Sequence, residues 1–174
     1  MKRTARAATC AVAVLTAAVL TGCSSDGSSG GSAAPAARPA GPSASASKLI
    51  AKGQATVATK SAGKLGTILV DGKGRTLYLF QADKKNTATC TGACIAAWPA
   101  LVTTKGAAKP GKGADKGLLG TTERAGGVTQ VTYNGHPLYR YLGDTEAGQT
   151  NGQGLEQFGA LWYVVDAKGK QVTG

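Results

Sequence analysis

The chain has 174 residues, 26 of them glycine, and a formal net charge of +11. A chain of this length accommodates one modest domain with appendages and excludes a large multidomain enzyme. Apolar residues reach 42% but aromatics only 5%, and alanine-rich N-terminal stretches hold much of the apolar share, so any core is small.

Residues 1–23 read MKRTARAATCAVAVLTAAVLTGC. Lys2, Arg3 and Arg6 form a cationic start, followed by a weakly polar to apolar run from Ala8 to Leu20. That order is the pattern of an export signal. A membrane span needs about 20 apolar residues, and this run is too short. It ends in Leu20-Thr21-Gly22-Cys23, which resembles the bacterial lipobox, where a cysteine carrying diacylglycerol becomes the new N-terminus. The expectation is a signal peptide over 1–22, lipidation of Cys23 and display on the outer face of the cytoplasmic membrane. The alternative is a plain secretory signal with an incidental cysteine. Cys10 leaves with the leader in either case, and loss of Lys2, Arg3 and Arg6 lowers the charge from +11 to +8.

Residues 24–47 contain only Ser, Gly, Ala, Pro, one Asp and one Arg. Such a segment buries too little apolar surface to offset chain entropy and reads as a tether. As a flexible coil it spans about 25–30 Å. Residues 48–62 continue the tether or add one edge strand, so the tether is assigned to 23–62 and the folded domain to 63–174.

Within that domain the sequence repeats. Residues 70–83 read VDGKGRTLYLFQAD and residues 131–144 read VTYNGHPLYRYLGD. At an offset of 61, Val70 matches Val131, Gly74 matches Gly135, Leu77 matches Leu138, Tyr78 matches Tyr139, Phe80 matches Tyr141 and Asp83 matches Asp144. Each copy has apolar and polar residues alternating around a glycine turn, which predicts a β-hairpin. Tyr78 and Phe80 then share one strand face, as do Tyr139 and Tyr141. Further strands are expected at 100–103, 118–123 and 161–166, and one helical turn at 94–98, stopped by Pro99. Residues 105–117 are rich in Gly and Lys and read as a surface loop. The expected fold is mainly β: two antiparallel hairpin repeats, about 63–103 and 124–166, sharing one small core with a helical turn near the cysteine pair.

At these residues the chain resembles a family of secreted-repeat lipoproteins of unknown function carrying a Y-x-[FWY]-x-x-D motif. Tyr78 to Asp83 and Tyr139 to Asp144 both fit it. Cys90-Thr91-Gly92-Ala93-Cys94, Trp98-Pro99, Gly152-Gln153-Gly154 and the run from Leu161 to Val165 look like further parts of the family pattern. One departure is Ala100, where the family often has a second proline. The resemblance implies a lipid-anchored or secreted domain and supplies no catalytic residues.

Subtraction narrows the chemistry. No serine follows Ser61, so the domain as bounded above lacks a serine nucleophile. His136 is the only histidine and the initiator the only methionine, which excludes a multi-histidine zinc centre and a methionine-rich copper carrier. No C-x-x-C-H occurs for haem attachment. The stretch 148–154 lacks the Lys-[Ser/Thr] ending of a phosphate loop and reads as a loop needing positive φ angles.

Cys90 and Cys94, four residues apart in an exported protein, are most simply a disulfide. The alternative is an extracytoplasmic copper or thiol-redox site built from Cys90, Cys94 and His136. Asp83 and Asp144 invite an acid/base reading, but each directly follows its strand, where a carboxylate commonly accepts from loop N–H groups. Tyr78, Phe80, Tyr139 and Tyr141 read as core before they read as a binding stripe. Lys105, Lys109, Lys112 and Lys116 are opposed only by Asp115, which suits weak association with anionic wall polymers or lipid headgroups and not with nucleic acid. The expected function is a non-enzymatic binding or structural module of the cell envelope, without a cofactor.

Overall fold

A computed structural model describes residues 53–104 and 106–174. The signal peptide over 1–22, Cys23, most of the tether and Lys105 lie outside the described residues. Among the described residues nine strands and one short α-helix follow in chain order: β1 Thr56–Ser61, β2 Thr67–Asp71, β3 Tyr78–Phe80, α1 Ala93–Ala97, β4 Lys109–Pro110, β5 Leu119–Arg124, β6 Val128–Tyr133, β7 His136–Pro137, β8 Glu156–Gln157 and β9 Ala160–Val164.

Three small sheets form, ordered β2-β1-β4, β3-β9-β8 and β5-β6-β7. The repeat governs this layout, because β1 and β5, and β2 and β6, occupy corresponding places in the two copies. β1 pairs antiparallel with β2 across the turn 62–66, and β5 pairs antiparallel with β6 across the turn 125–127. Each copy therefore begins one strand earlier than the boundaries 63 and 124 read from sequence. β1 is not an edge strand, since β4 adds to its other side in parallel. Its composition, TVATKS, is polar enough to pass for tether, and Val57 is its only fully buried residue. Ser61, the last serine of the chain, is consequently part of the folded body, exposed at the end of β1.

The hairpins form, but their second arms are short. Asp71 shapes the first turn by accepting from the Lys73 and Arg75 backbone N–H groups at 2.9 and 3.0 Å. Thr76 then bridges back to Val70. In the second copy Asn134 and Gly135, with φ of 50° and 80°, make the tight turn that pairs Tyr133 with His136. Positive φ at two successive positions is what Asn-Gly supplies most readily.

Beyond these turns each arm leaves its own hairpin and pairs with the other copy. β3 pairs with β9, and Ile68 bridges Asp166. Tyr139 bridges Ala100, and Val102 bridges Gln130. The tail of the second copy is thus a strand beside β3, and the tail of the first reaches the second through single bridges. Alternation along these segments buries both faces. Tyr78, Phe80, Trp98, Ala100, Tyr139 and Trp162 join one cluster, while Leu77, Leu79, Leu101, Val131, Leu138 and Val165 join a second. Both copies contribute to both clusters, so the core is shared.

The helical turn expected at 94–98 is α1, one residue earlier. The cysteines beside it are joined, with Cα atoms 5.3 Å apart. The basic segment is exposed as expected, yet it is not wholly irregular. Lys109–Pro110 form β4, and the Lys109 N–H donates to the Ala55 carbonyl at 2.7 Å.

Candidate functional site

The two repeat motifs meet at a pseudo-twofold crossing. The Tyr78 N–H donates to the Tyr139 carbonyl at 2.9 Å, and the Tyr139 N–H donates to the Tyr78 carbonyl at 3.0 Å. This places the two phenols on one face, both fully buried. The Tyr78 hydroxyl donates to Asp144 at 2.6 Å, and the Tyr139 hydroxyl donates to Asp83 at 2.7 Å. Each tyrosine of the motif therefore pairs with the aspartate of the other copy.

The second oxygen of each carboxylate ties down its own loop. Asp83 accepts from the Thr89 N–H and hydroxyl, both at 2.7 Å, and Asp144 accepts from the Asn151 N–H at 2.9 Å. Burial, together with the neighbouring carboxylate in each case, pushes the Tyr78 and Tyr139 phenols far above the usual tyrosine range. Burial also raises the Asp144 carboxyl, opposed by the donors around it. Anchorage of loop N–H groups was legible from the position of each aspartate after its strand. The exchange between copies was not, because nothing local says which tyrosine meets which carboxylate.

Four aromatic rings stack through the centre in the order Phe80, Trp162, Trp98, Tyr141, with centroid separations of 4.2, 3.9 and 4.3 Å. Tyr78 meets Trp98 edge-on at 5.4 Å and Tyr139 meets Trp162 edge-on at 5.2 Å. The two motifs thus contribute equivalently, each with one stacked ring and one edge. Gln157 serves both indoles, accepting from Trp98 through its side chain at 2.9 Å and from Trp162 through its backbone carbonyl at 3.1 Å. Gly152 lies against this assembly: a Cβ there would stand 2.8 Å from Trp98 and 2.9 Å from Tyr78. In the glycine-rich stretch, Gly148 and Gly154 have positive φ as expected, whereas Gly152 is needed for close approach.

Cys90 and Cys94 are buried in the aromatic cluster. Arg124 of the second copy donates to the Cys90 carbonyl, which ties the disulfide loop across the repeat boundary. His136 does not join this pair. Among the described residues no three His, Cys, Asp or Glu side chains converge as a metal set, so the Cys90, Cys94 and His136 copper site considered above does not assemble. The physical reason is that the sulfurs are bonded to one another, while His136 sits in β7 beside Asp83. Burial lowers the His136 imidazole below its ordinary range, against the pull of Asp83.

Two cavities flank the crossing. The first, about 240 Å³, is lined by Arg75, Thr76, Pro99, Arg140, Tyr141, Leu142 and Asp144. The second, about 290 Å³, is lined by Leu79, Phe80, Gln81, Asp83, His136 and Gln171. Neither was visible in sequence, because residues 60 or more apart build both. Lys109, Lys112 and Lys116 are exposed and line neither cavity.

This arrangement defines a class: a small β module made of two intertwined copies that exchange tails and cross-pair their motif side chains. The chain belongs to the family of secreted repeats of unknown function, whose family model matches residues 59–102 and 120–166. The two matches begin inside β1 and β5, in agreement with the repeat boundaries seen in the fold. No curated protein and no solved structure matches the chain significantly.

Proposed function

We propose that this protein is a non-enzymatic binding module, anchored by a lipid on Cys23 and held off the outer face of the membrane by the segment that follows. The observation that carries the reading is how the motif is used. Tyr78, Tyr139, Asp83 and Asp144 are all committed to joining the two copies, and both tryptophans lie in the stack between them. Motif polar groups engaged in this way hold a rigid scaffold and leave recognition to the surface.

The exposed lysines support an anionic partner. Lys109, Lys112 and Lys116 project from one segment of the described surface, and Lys105 precedes them in sequence. On the outer side of a membrane the abundant polyanions are wall polymers and lipid headgroups, and attraction to them is screened by salt. Replacing the four lysines by glutamine should abolish salt-sensitive binding to vesicles containing anionic lipid. Unchanged binding would refute the loop's role. Metabolic labelling with a fatty acid, lost in Cys23→Ala, tests the anchor.

A further inference from the structure

The two cavities are twins under the repeat. At the offset of 61, Arg75 corresponds to His136, Tyr141 to Phe80, Leu142 to Gln81 and Asp144 to Asp83. The remaining pair differs most, since Arg140 occupies the place of Leu79. Leu79 is 3% exposed and packs in the aliphatic cluster. An apolar side chain therefore satisfies this position in the fold, and the guanidinium is not required to build it.

Arg140 is poorly matched where it lies. Its Nε is buried and has no acceptor among the described residues, and one terminal nitrogen reaches the Ala100 carbonyl only at 3.4 Å. A guanidinium offers five donors, and a buried donor without a partner is costly. The nearby charges do not resolve this. Arg75 is already paired with Asp71 at 2.6 Å, and Asp144 is engaged by Tyr78 and Asn151. Arg140 itself has no carboxylate within ion-pairing distance among the described residues. Burial and the neighbouring Arg75 disfavour the charged form of Arg140, Asp71 opposes them only in part, and an incoming anion would add to that opposition.

We propose that the cavity at Arg140 binds a singly charged oxyanion, a carboxylate or a phosphodiester, carried on a larger ligand. A guanidinium fork matches either group in bidentate fashion. The single charge matches the one guanidinium without an ion-pair partner, while the Asp144 carboxylate on the same wall disfavours a more highly charged ligand. The larger ligand follows from size, since about 240 Å³ is below the range of pockets that enclose a whole small molecule. Leu142, 63% exposed at the rim, and Pro99 give apolar contact to what lies outside. Arg75 and Arg140 also wall an adjoining cavity of about 210 Å³, with room for the remainder of the ligand. The site rests on the binding-module reading but is independent of the lysine loop.

The test is a titration of the intact chain with acetate and, separately, dimethyl phosphate at constant ionic strength, followed by the arginine side-chain Nε–Hε NMR signals. The Arg140 signal should shift saturably in the millimolar range, the tighter anion naming the source chemistry. Arg140→Leu, which installs the residue of the twin copy, should weaken that binding about tenfold or more. A shift that never saturates, or equal affinity in Arg140→Leu, overturns the site. Should that variant not fold, the titration of the unsubstituted chain decides alone, with signals around His136 as the internal control. Saturable binding of the small anions without vesicle binding would leave this site standing and remove the lysine-loop reading, while the reverse would remove this site only.

Discussion

The hydroxyl of Tyr78 lies 2.6 Å from the carboxylate of Asp144, 66 residues along the chain and in the other copy of the repeat. Its counterpart, Tyr139 with Asp83, spans 56 residues at 2.7 Å. A duplicated motif whose partners lay within one copy would make two autonomous units. Exchange of partners makes one.

That exchange is not energetically symmetric. Asp144 is buried to 8% exposure, whereas Asp83 is only half-buried and can be rehydrated. Tyr78→Phe leaves a buried carboxylate oxygen without its donor and should cost about 1–3 kcal/mol. Tyr139→Phe should cost less. Urea unfolding of the two variants measures the difference, and equal losses would contradict the burial argument.

Alkaline titration probes the same phenols. Tyr78, Tyr133 and Tyr139 are all raised in the folded protein, chiefly by burial. A raised folded pKa contributes stability that is complete below the unfolded value, about 10, and is lost as pH climbs above it. Tyr78 and Tyr139, the two raised furthest, should therefore ionise only as the chain unfolds. The share of the tyrosinate absorbance that Tyr78→Phe or Tyr139→Phe removes should rise together with the loss of circular dichroism above pH 10, and early ionisation of Tyr78 or Tyr139 without unfolding would oppose the assignment.

Gly152→Ala should destabilise through the stack, because the added Cβ stands 2.8 Å from Trp98 and 2.9 Å from Tyr78. Overpacking of this kind costs about 1–3 kcal/mol. Thermal melting gives the loss, and near-ultraviolet circular dichroism should weaken with it, since the Trp98–Trp162 stack at 3.9 Å must shift.

Cutting the chain between the copies should abolish folding of either piece. β3 has its ladder partner in β9, and Ala100 and Val102 bridge Tyr139 and Gln130. Fragments 53–104 and 106–174 should be unfolded apart and gain β structure when mixed, read by circular dichroism. A folded first fragment alone would contradict the intertwined core.

Breaking the disulfide should be milder. Cys90 and Cys94 enclose a loop of about five residues, for which chain entropy predicts about 2 kcal/mol. The double variant to alanine should keep its fold with a lowered denaturation midpoint.

Local pattern was enough to read the two glycine turns, the helical turn beside the cysteines and the disulfide, because each depends on residues a few positions apart, and the duplication was legible as recurrence of one pattern 61 residues on. Sequence also assigned Tyr78, Phe80 and Tyr139 to the core, since strand alternation puts them on one face. It misplaced the start of each copy, because β1 has a polar composition and is held by pairing with β2 and β4, not by its own apolar content. The exchange of tails, the four-ring stack and the cavity at Arg140 were decided only by tertiary structure. Their contacts join residues about 30 to 100 positions apart, and which of two equivalent partners is chosen depends on how the copies cross. Arg140 shows the division most clearly: the sequence places it opposite Leu79 in the repeat, but only the folded chain reveals a buried donor with no acceptor among the described residues.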